Sequence, residues 1–128
     1  MKALIVEDEP LNREALRLLL EGAGYAVSMA WTAAGAVRQP TKEQPDIVLL
    51  DINLGEEIAS GIDVARMMGS DEDWRQTPVI VTSALSSEGI RSRARADAFE
   101  GLRAAMLPKP IEADVLLHQM GTMLKEAR

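Results

Sequence analysis

The sequence predicts one α/β domain over residues 1–128, in which a doubly wound parallel sheet of five strands alternates with five helices. Short, unbroken apolar runs such as residues 47–50 are typical of strands that are buried on both faces of a parallel sheet. Segments with apolar residues at helical spacing separate these runs. A chain of 128 residues is long enough to bury one core of this kind.

The first half of the chain is predicted to hold three strands and two helices. Residues 3–6 are an apolar run that ends at acids, and Pro10 suits the first turn of the helix that follows. Apolar residues recur at helical spacing in this helix until glycines stop the pattern, namely Leu11, Ala15, Leu18 and Leu19. Residues 25–30 form a weaker strand, Thr32 can cap a short alanine-rich helix, and residues 47–50 are the third strand.

The second half of the chain adds two strands and three helices. Residues 62–69 show the apolar pattern of a helix, and residues 79–83 are dense in the β-branched residues that strands favour. A serine at position 86 or 87 can cap a fourth helix. Residues 104–107 form a short fifth strand, and a fifth helix begins near residue 112.

The order of the strands predicts where polar residues meet. The flavodoxin-like order 2-1-3-4-5 suits a five-stranded doubly wound sheet, and it makes the first and third strands neighbours. Ligands bind at the carboxyl ends of such strands, beside the point where the strand order reverses. Glu7 and Asp8 follow the first strand and Asp51 follows the third, so we expect these three carboxylates at one edge.

Three neighbouring carboxylates repel one another unless a cation is bound between them. Oxygen ligands without histidine or cysteine favour Mg²⁺. Two later strand ends add Ser83, a hydroxyl donor, and Lys109, a compact positive charge, and such a pocket can accept a phosphoryl group. Each residue alone also suits a structural role at a helix start, turn or loop, but their convergence at the strand ends favours the phosphoryl-accepting interpretation.

Composition excludes several other classes of function. A net charge of -6 and a pI near 4.8 argue against direct nucleic-acid binding, and an aromatic content of 3% argues against base stacking. The absence of cysteine excludes disulfides and thiol catalysis. No apolar run is long enough for a signal peptide or a membrane span, so we expect a cytoplasmic protein without membrane contacts.

These motifs resemble those of the receiver domain of two-component response regulators, across essentially the whole chain. The matching segments are residues 4–9, 46–54, 60–63, 78–84 and 109–110. The resemblance implies that Asp51 is the phosphoacceptor for a phosphohistidine on a sensor histidine kinase or a histidine phosphotransfer protein. It also implies a Mg²⁺ site, whose ligands are Glu7, Asp8, Asp51 and the backbone carbonyl of Asn53. Ser83 and Lys109 would contact the phosphoryl group.

The same resemblance implies a phosphorelay signalling module rather than an enzyme with its own substrate, although such a module assists its own phosphorylation and dephosphorylation. A downstream protein would bind to the surface formed by the fourth helix, the fifth strand and the fifth helix. The receiver itself would be a monomer or a phosphorylation-dependent dimer. The chain ends after the fifth helix, so we expect no output domain of its own. One departure concerns the switch that couples with Ser83, because Met106 stands where the family usually has an aromatic residue.

Two alternatives remain at this point. A module with the same fold can signal without phosphorylation, and Met106 leaves that possibility open. An aspartate-nucleophile phosphatase of the haloacid dehalogenase type also uses a strand-end aspartate, a hydroxyl and a lysine. Such enzymes carry a second aspartate two positions after the nucleophile, where this chain has Asn53.

Overall fold

The computed structural model describes residues 1–7, 9–30, 45–51, 76–83 and 103–126. Its strands are β1 (Lys2–Val6), β2 (Ala26–Ala30), β3 (Ile47–Asp51), β4 (Pro78–Ser83) and β5 (Arg103–Pro108). They form one parallel sheet in the order β2-β1-β3-β4-β5. This confirms the predicted fold class and strand order.

Two of the five predicted helices lie within the described residues, α1 (Pro10–Gly22) and α2 (Ala113–Glu126). The helices predicted near residues 32–39, 62–69 and 86–99 lie outside them. Within the described segments, no helix has both the length and the apolar character needed to cross a membrane.

The sheet is buried on both faces, as the unbroken apolar runs predict. All five residues of β3 are buried. Alternate strand residues, including Ile5, Leu49 and Ile80, pack with Leu20 of α1 and Leu116 of α2 in one core cluster. Residues of the opposite parity are also buried, among them Leu4, Val48, Leu50, Val79 and Val81. A polar group at the end of a central strand therefore lies next to a water-poor interior.

The helix α1 is confirmed, but its inner face differs from the one suggested by the apolar spacing. Leu20 is fully buried, and Leu16 and Leu19 pack against the core. Leu11 and Leu18 are instead 80% and 58% exposed. The helix contains more apolar residues than one face can hold, so periodicity alone identified the helix without identifying its buried side.

Glu9 caps the N-terminus of α1. Its backbone is extended, with φ -80° and ψ 115°, and its side chain accepts a hydrogen bond from the Leu11 amide at 3.0 Å. This contact satisfies one of the amides that the first turn of a helix leaves without a partner. A structural role therefore accounts for Glu9, in contrast to the acid at position 7.

Asp46 fixes the start of β3 against the start of β1. Its Oδ2 accepts a hydrogen bond from the Lys2 amide at 2.7 Å, and its own amide donates to the Lys2 carbonyl at 2.8 Å. The register that follows pairs Val6 with Leu50. This register sets which residues are adjacent where the two strands end.

Candidate functional site

Three charged residues meet at the carboxyl edge of the sheet. Glu7 directly follows β1, Asp51 ends β3, and Lys109 directly follows β5. Because Val6 and Leu50 are paired in the sheet, the next residue on each strand is an acid, and the two acids are neighbours. The sequence-based prediction that these strand ends converge therefore agrees with their positions in the described sheet.

Lys109 bridges the two acids. Its Nζ donates a hydrogen bond to Asp51 Oδ2 at 2.9 Å and lies 3.6 Å from Glu7 Oε1. The side chains of Glu7 and Asp51 are 2% and 4% exposed, whereas that of Lys109 is 25% exposed. The Lys109–Pro110 peptide bond is cis. The pair of carboxylates is thus almost fully buried, and its ammonium partner reaches the solvent.

Burial and the neighbouring Asp51 dominate the electrostatics of Glu7. Burial, followed by the hydrogen bond and the charge of Asp51, raises the pKa of Glu7 to about 8, although Lys109 and a hydrogen bond from Asn12 act in the opposite direction. For Lys109, burial lowers the pKa, but the contacts with Asp51 and Glu7 outweigh burial and leave the pKa above its usual value. The ammonium is therefore charged, and one positive charge serves two acids.

The donor set fits a hard divalent cation. Glu7 Oε1 is buried and has no hydrogen-bond partner among the described residues, which leaves a carboxylate oxygen available as a ligand. Two carboxylates against one ammonium also leave room for further positive charge. Within the described segments no group of three or more acidic or histidine side chains is placed for a metal, and two predicted ligands, Asp8 and Asn53, lie outside those segments.

The predicted phosphoryl and switch residues are placed only in part. Ser83 ends β4 and is paired with Pro108 of β5, but its side chain lies outside the described residues. Met106 is paired with Val81 and is half-buried. The two predicted switch residues therefore lie on the paired strands β4 and β5.

Sequence reasoning missed two contacts from α1 to Glu7, namely the hydrogen bond from Asn12 to its side chain and a bond from Arg13 to its backbone. Arg13 of α1 donates a hydrogen bond from Nη1 to the backbone carbonyl of Glu7 at 3.1 Å. Asn12 and Arg13 are the third and fourth residues of the helix that follows the acidic residues 7–9, and that position was the available signal.

With this fold and site, the chain belongs to the family of response regulator receiver domains, whose model matches residues 3–120. It is a receiver domain of two-component signal transduction systems. The predicted family and the predicted class of function are therefore confirmed.

Individual proteins similar to this chain carry the same assignment. The polar-differentiation response regulator DivK of Brucella ovis is 32% identical over 124 residues, which cover 97% of this chain and 96% of DivK. The receiver domain of a signal transduction histidine kinase from Syntrophus aciditrophicus is 28% identical with a TM-score of 0.82, covering 98% of this chain and 90% of that chain.

A third similar protein was solved with a metal. It is the receiver domain of a sensor histidine kinase from Pseudomonas aeruginosa PAO1, with a magnesium ion coordinated in the active site cleft. It is 25% identical to this chain, has a TM-score of 0.82 and covers 97% of each chain.

The Glu7→Gln variant is expected to be more stable than the wild type in metal-free buffer at mildly alkaline pH. The folded wild type holds the Glu7 proton up to a pKa of about 8, whereas the ordinary value is 4.5. The folded state binds more protons in that window, so wild-type stability falls as the pH rises through it, and glutamine removes this loss. We expect a gain of at least about 1 kcal/mol near pH 8 and little gain near pH 5.

Urea unfolding in EDTA at the two pH values measures this difference. Glu14→Gln is the matched control, because Glu14 is an exposed acid of α1 whose pKa is lowered by its hydrogen bond to Arg17. A Glu7→Gln gain that is equal at both pH values would show that burial of the charge is not its cause.

Proposed function

We propose that this receiver domain accepts a phosphoryl group on Asp51 in a Mg²⁺-dependent reaction and thereby changes its interactions with other proteins. The observation that carries this proposal is the buried Asp51 carboxylate, which lies at the carboxyl edge of a central strand and is bonded to Lys109 at 2.9 Å. A nucleophile buried beside a positive charge is suited to phosphoryl transfer, because that charge stabilises the negative oxygens of the transferred group.

Glu7 and Asp51 would hold the metal, together with Asp8 and the backbone carbonyl of Asn53. A bound Mg²⁺ supplies positive charge for the transferred phosphoryl oxygens. Glu7 Oε1 supports this role, since it is buried without a hydrogen bond among the described residues, and its ion-pair partner Lys109 Nζ is 3.6 Å away.

The chemical step needs little beyond orientation and charge. A carboxylate oxygen of Asp51 attacks the phosphorus of a phosphohistidine, the P–N bond breaks, and the neutral imidazole leaves when a proton is supplied to it. Lys109 keeps its charge throughout and stays beside the new acyl phosphate. The Ser83 hydroxyl donates a hydrogen bond to a phosphoryl oxygen. The chain in this way assists its own phosphorylation, and hydrolysis at the same site returns Asp51.

The phosphoryl donor is a sensor histidine kinase or a histidine phosphotransfer protein. Two of the similar structures are receiver domains of histidine kinases, which supports a donor of this class. The receiver occupies residues 1–128 as one cytoplasmic domain, and the family match over residues 3–120 supports this extent. Its output surface is formed by the fourth predicted helix, β5 and α2, in a monomer or a phosphorylation-dependent dimer.

Phosphorylation adds nearly two negative charges at a buried site, which the structure must accommodate. Ser83 and Lys109 respond to those charges, and Met106 on β5 repacks in place of the usual aromatic residue. Methionine is flexible and polarizable, so it can fill more than one cavity shape.

The Mg²⁺ dependence of labelling tests the proposed function. Acetyl phosphate with Mg²⁺ is expected to phosphorylate the wild type, and EDTA is expected to slow the labelling by at least about tenfold, because the metal offsets charge on the transferred oxygens. Intact-protein mass spectrometry measures the phosphorylated fraction over time. Restoring Mg²⁺ in excess is the control. Equal rates with and without EDTA would contradict the metal-dependent mechanism.

A further inference from the structure

The side chain of Arg13 bonds the first residue of the acidic segment that follows β1, residues 7–9. Its side-chain Nη1 donates to the Glu7 carbonyl at 3.1 Å, and its backbone amide donates to the Glu9 carbonyl at 2.9 Å. The two bonded carbonyls flank Asp8 in the sequence. The bond to Glu9 is the regular backbone bond that opens α1, so only the bond to Glu7 depends on the arginine side chain.

The residues on either side of position 8 also bond to neighbouring elements, but none of these bonds involves the Glu7 carbonyl. The Glu7 amide donates to the Ala30 carbonyl at 3.0 Å, which extends the hydrogen bonding between β1 and β2 by one residue. On the other side, Glu9 caps α1 through the Leu11 amide. The carbonyl of Glu7 is the point at which the chain leaves the sheet, and Arg13 is the group of α1 that bonds it there.

We propose that Arg13 is a positioning residue for the magnesium site, which fixes the backbone of Glu7, a predicted ligand of the ion. The inference rests on the proposed function, in which Glu7 and Asp8 are metal ligands. Groups that orient metal ligands from outside the coordination sphere commonly control metal affinity.

The charge and the hydrogen bond of Arg13 have opposite effects on Mg²⁺ affinity. A guanidinium close to a cation site repels the cation, so removal of the charge alone would strengthen Mg²⁺ binding. Loss of the hydrogen bond to Glu7 would instead loosen the ligands and weaken binding. The two effects have opposite signs, and the sign of the measured change therefore decides between them.

Arg17 provides a matched control on the same helix. It lies four residues after Arg13 and carries the same charge, but its guanidinium pairs with Glu14 and Glu21 of α1. Replacing Arg17 removes a positive charge from α1 without removing a contact to the acidic segment.

Isothermal titration of the metal-free full chain with MgCl₂ tests the inference in the variants Arg13→Met, Arg13→Lys and Arg17→Met. We expect Arg13→Met to weaken Mg²⁺ affinity by about tenfold, as typical for the loss of an outer-sphere partner, and Arg17→Met to change it by less than about twofold. Arg13→Lys should recover part of the loss, because an ammonium can still donate to the Glu7 carbonyl. Unchanged or tighter binding by Arg13→Met would overturn the inference.

Hydrogen exchange in EDTA tests the positioning without any metal. The amide of Glu7, which donates to the Ala30 carbonyl, should exchange faster in Arg13→Met than in the wild type and in Arg17→Met, and equal exchange would overturn the inference. Failure of the wild type to bind Mg²⁺ would overturn the proposed metal site and, with it, the role of Arg13 toward magnesium. A loss that is confined to the Arg13 variants identifies the positioning effect.

Discussion

The Asp51→Asn variant is expected to lose phosphorylation by acetyl phosphate by about a hundredfold or more, because an amide oxygen is a far weaker nucleophile than a carboxylate. Asparagine matches aspartate in shape, and it also removes the buried charge that helps to raise the pKa of Glu7. The variant should therefore fold, and its labelling should fail for chemical reasons. Time courses by intact-protein mass spectrometry measure the effect.

Asp46→Asn is the matched control for this prediction. Asp46 precedes β3, whereas Asp51 ends it, and the Asp46 side chain accepts a hydrogen bond from Lys2 rather than facing the site. An asparagine oxygen can still accept that bond, so this variant should be labelled like the wild type. Undiminished labelling of Asp51→Asn would place the acceptor on another residue.

The Lys109→Ala variant is expected to lose about 2 kcal/mol of unfolding free energy in metal-free buffer near pH 8. The substitution leaves two almost fully buried carboxylates without their ammonium, and removal of one partner of a buried pair is strongly destabilising. The expected loss is smaller than for a fully buried pair, because the Lys109 side chain is a quarter exposed. Urea unfolding in EDTA measures it.

Protonation should reduce this loss. The pKa of Glu7 is already raised, so at lower pH the carboxylate pair carries one charge less and needs its ammonium less. Lys125→Ala is the control, because Lys125 is exposed in the last turn of α2. If Lys109→Ala is as stable as the control both near pH 8 and at the lower pH, the ion pair does not contribute to the free energy of unfolding.

Local patterns were sufficient to predict the sheet and the central pair of the site. The apolar run before Asp51 identified a buried strand, and the alternation of strands with helices implied the parallel order. That order makes β1 and β3 neighbours, and the residues at their ends are adjacent because the pairing of Val6 with Leu50 has the expected register. The position of Lys109 followed from the same argument, since β5 ends at the same edge.

Features that depend on distant contacts were not predictable from these patterns. The bond from Lys2 to Asp46 joins residues 44 positions apart, and no local signal marks Asp46 as the residue that sets the register. The buried side of α1 was also ambiguous, because Leu18 and Leu20 are equally apolar but only Leu20 meets the core. The raised pKa of Glu7 results from burial, which depends on the assembled sheet.

The acceptor residue itself provides the most direct test of the proposed mechanism. Wild-type protein phosphorylated with acetyl phosphate and Mg²⁺ can be reduced with borohydride, which converts an aspartyl phosphate to homoserine, and the modified position can be read by tandem mass spectrometry. We expect homoserine at position 51 and at no other acid of the site. Homoserine at position 8, 5-hydroxynorvaline from a reduced glutamyl phosphate at position 7, or a phosphoryl group that survives on a hydroxyl, would contradict the assignment of Asp51 as the phosphoacceptor.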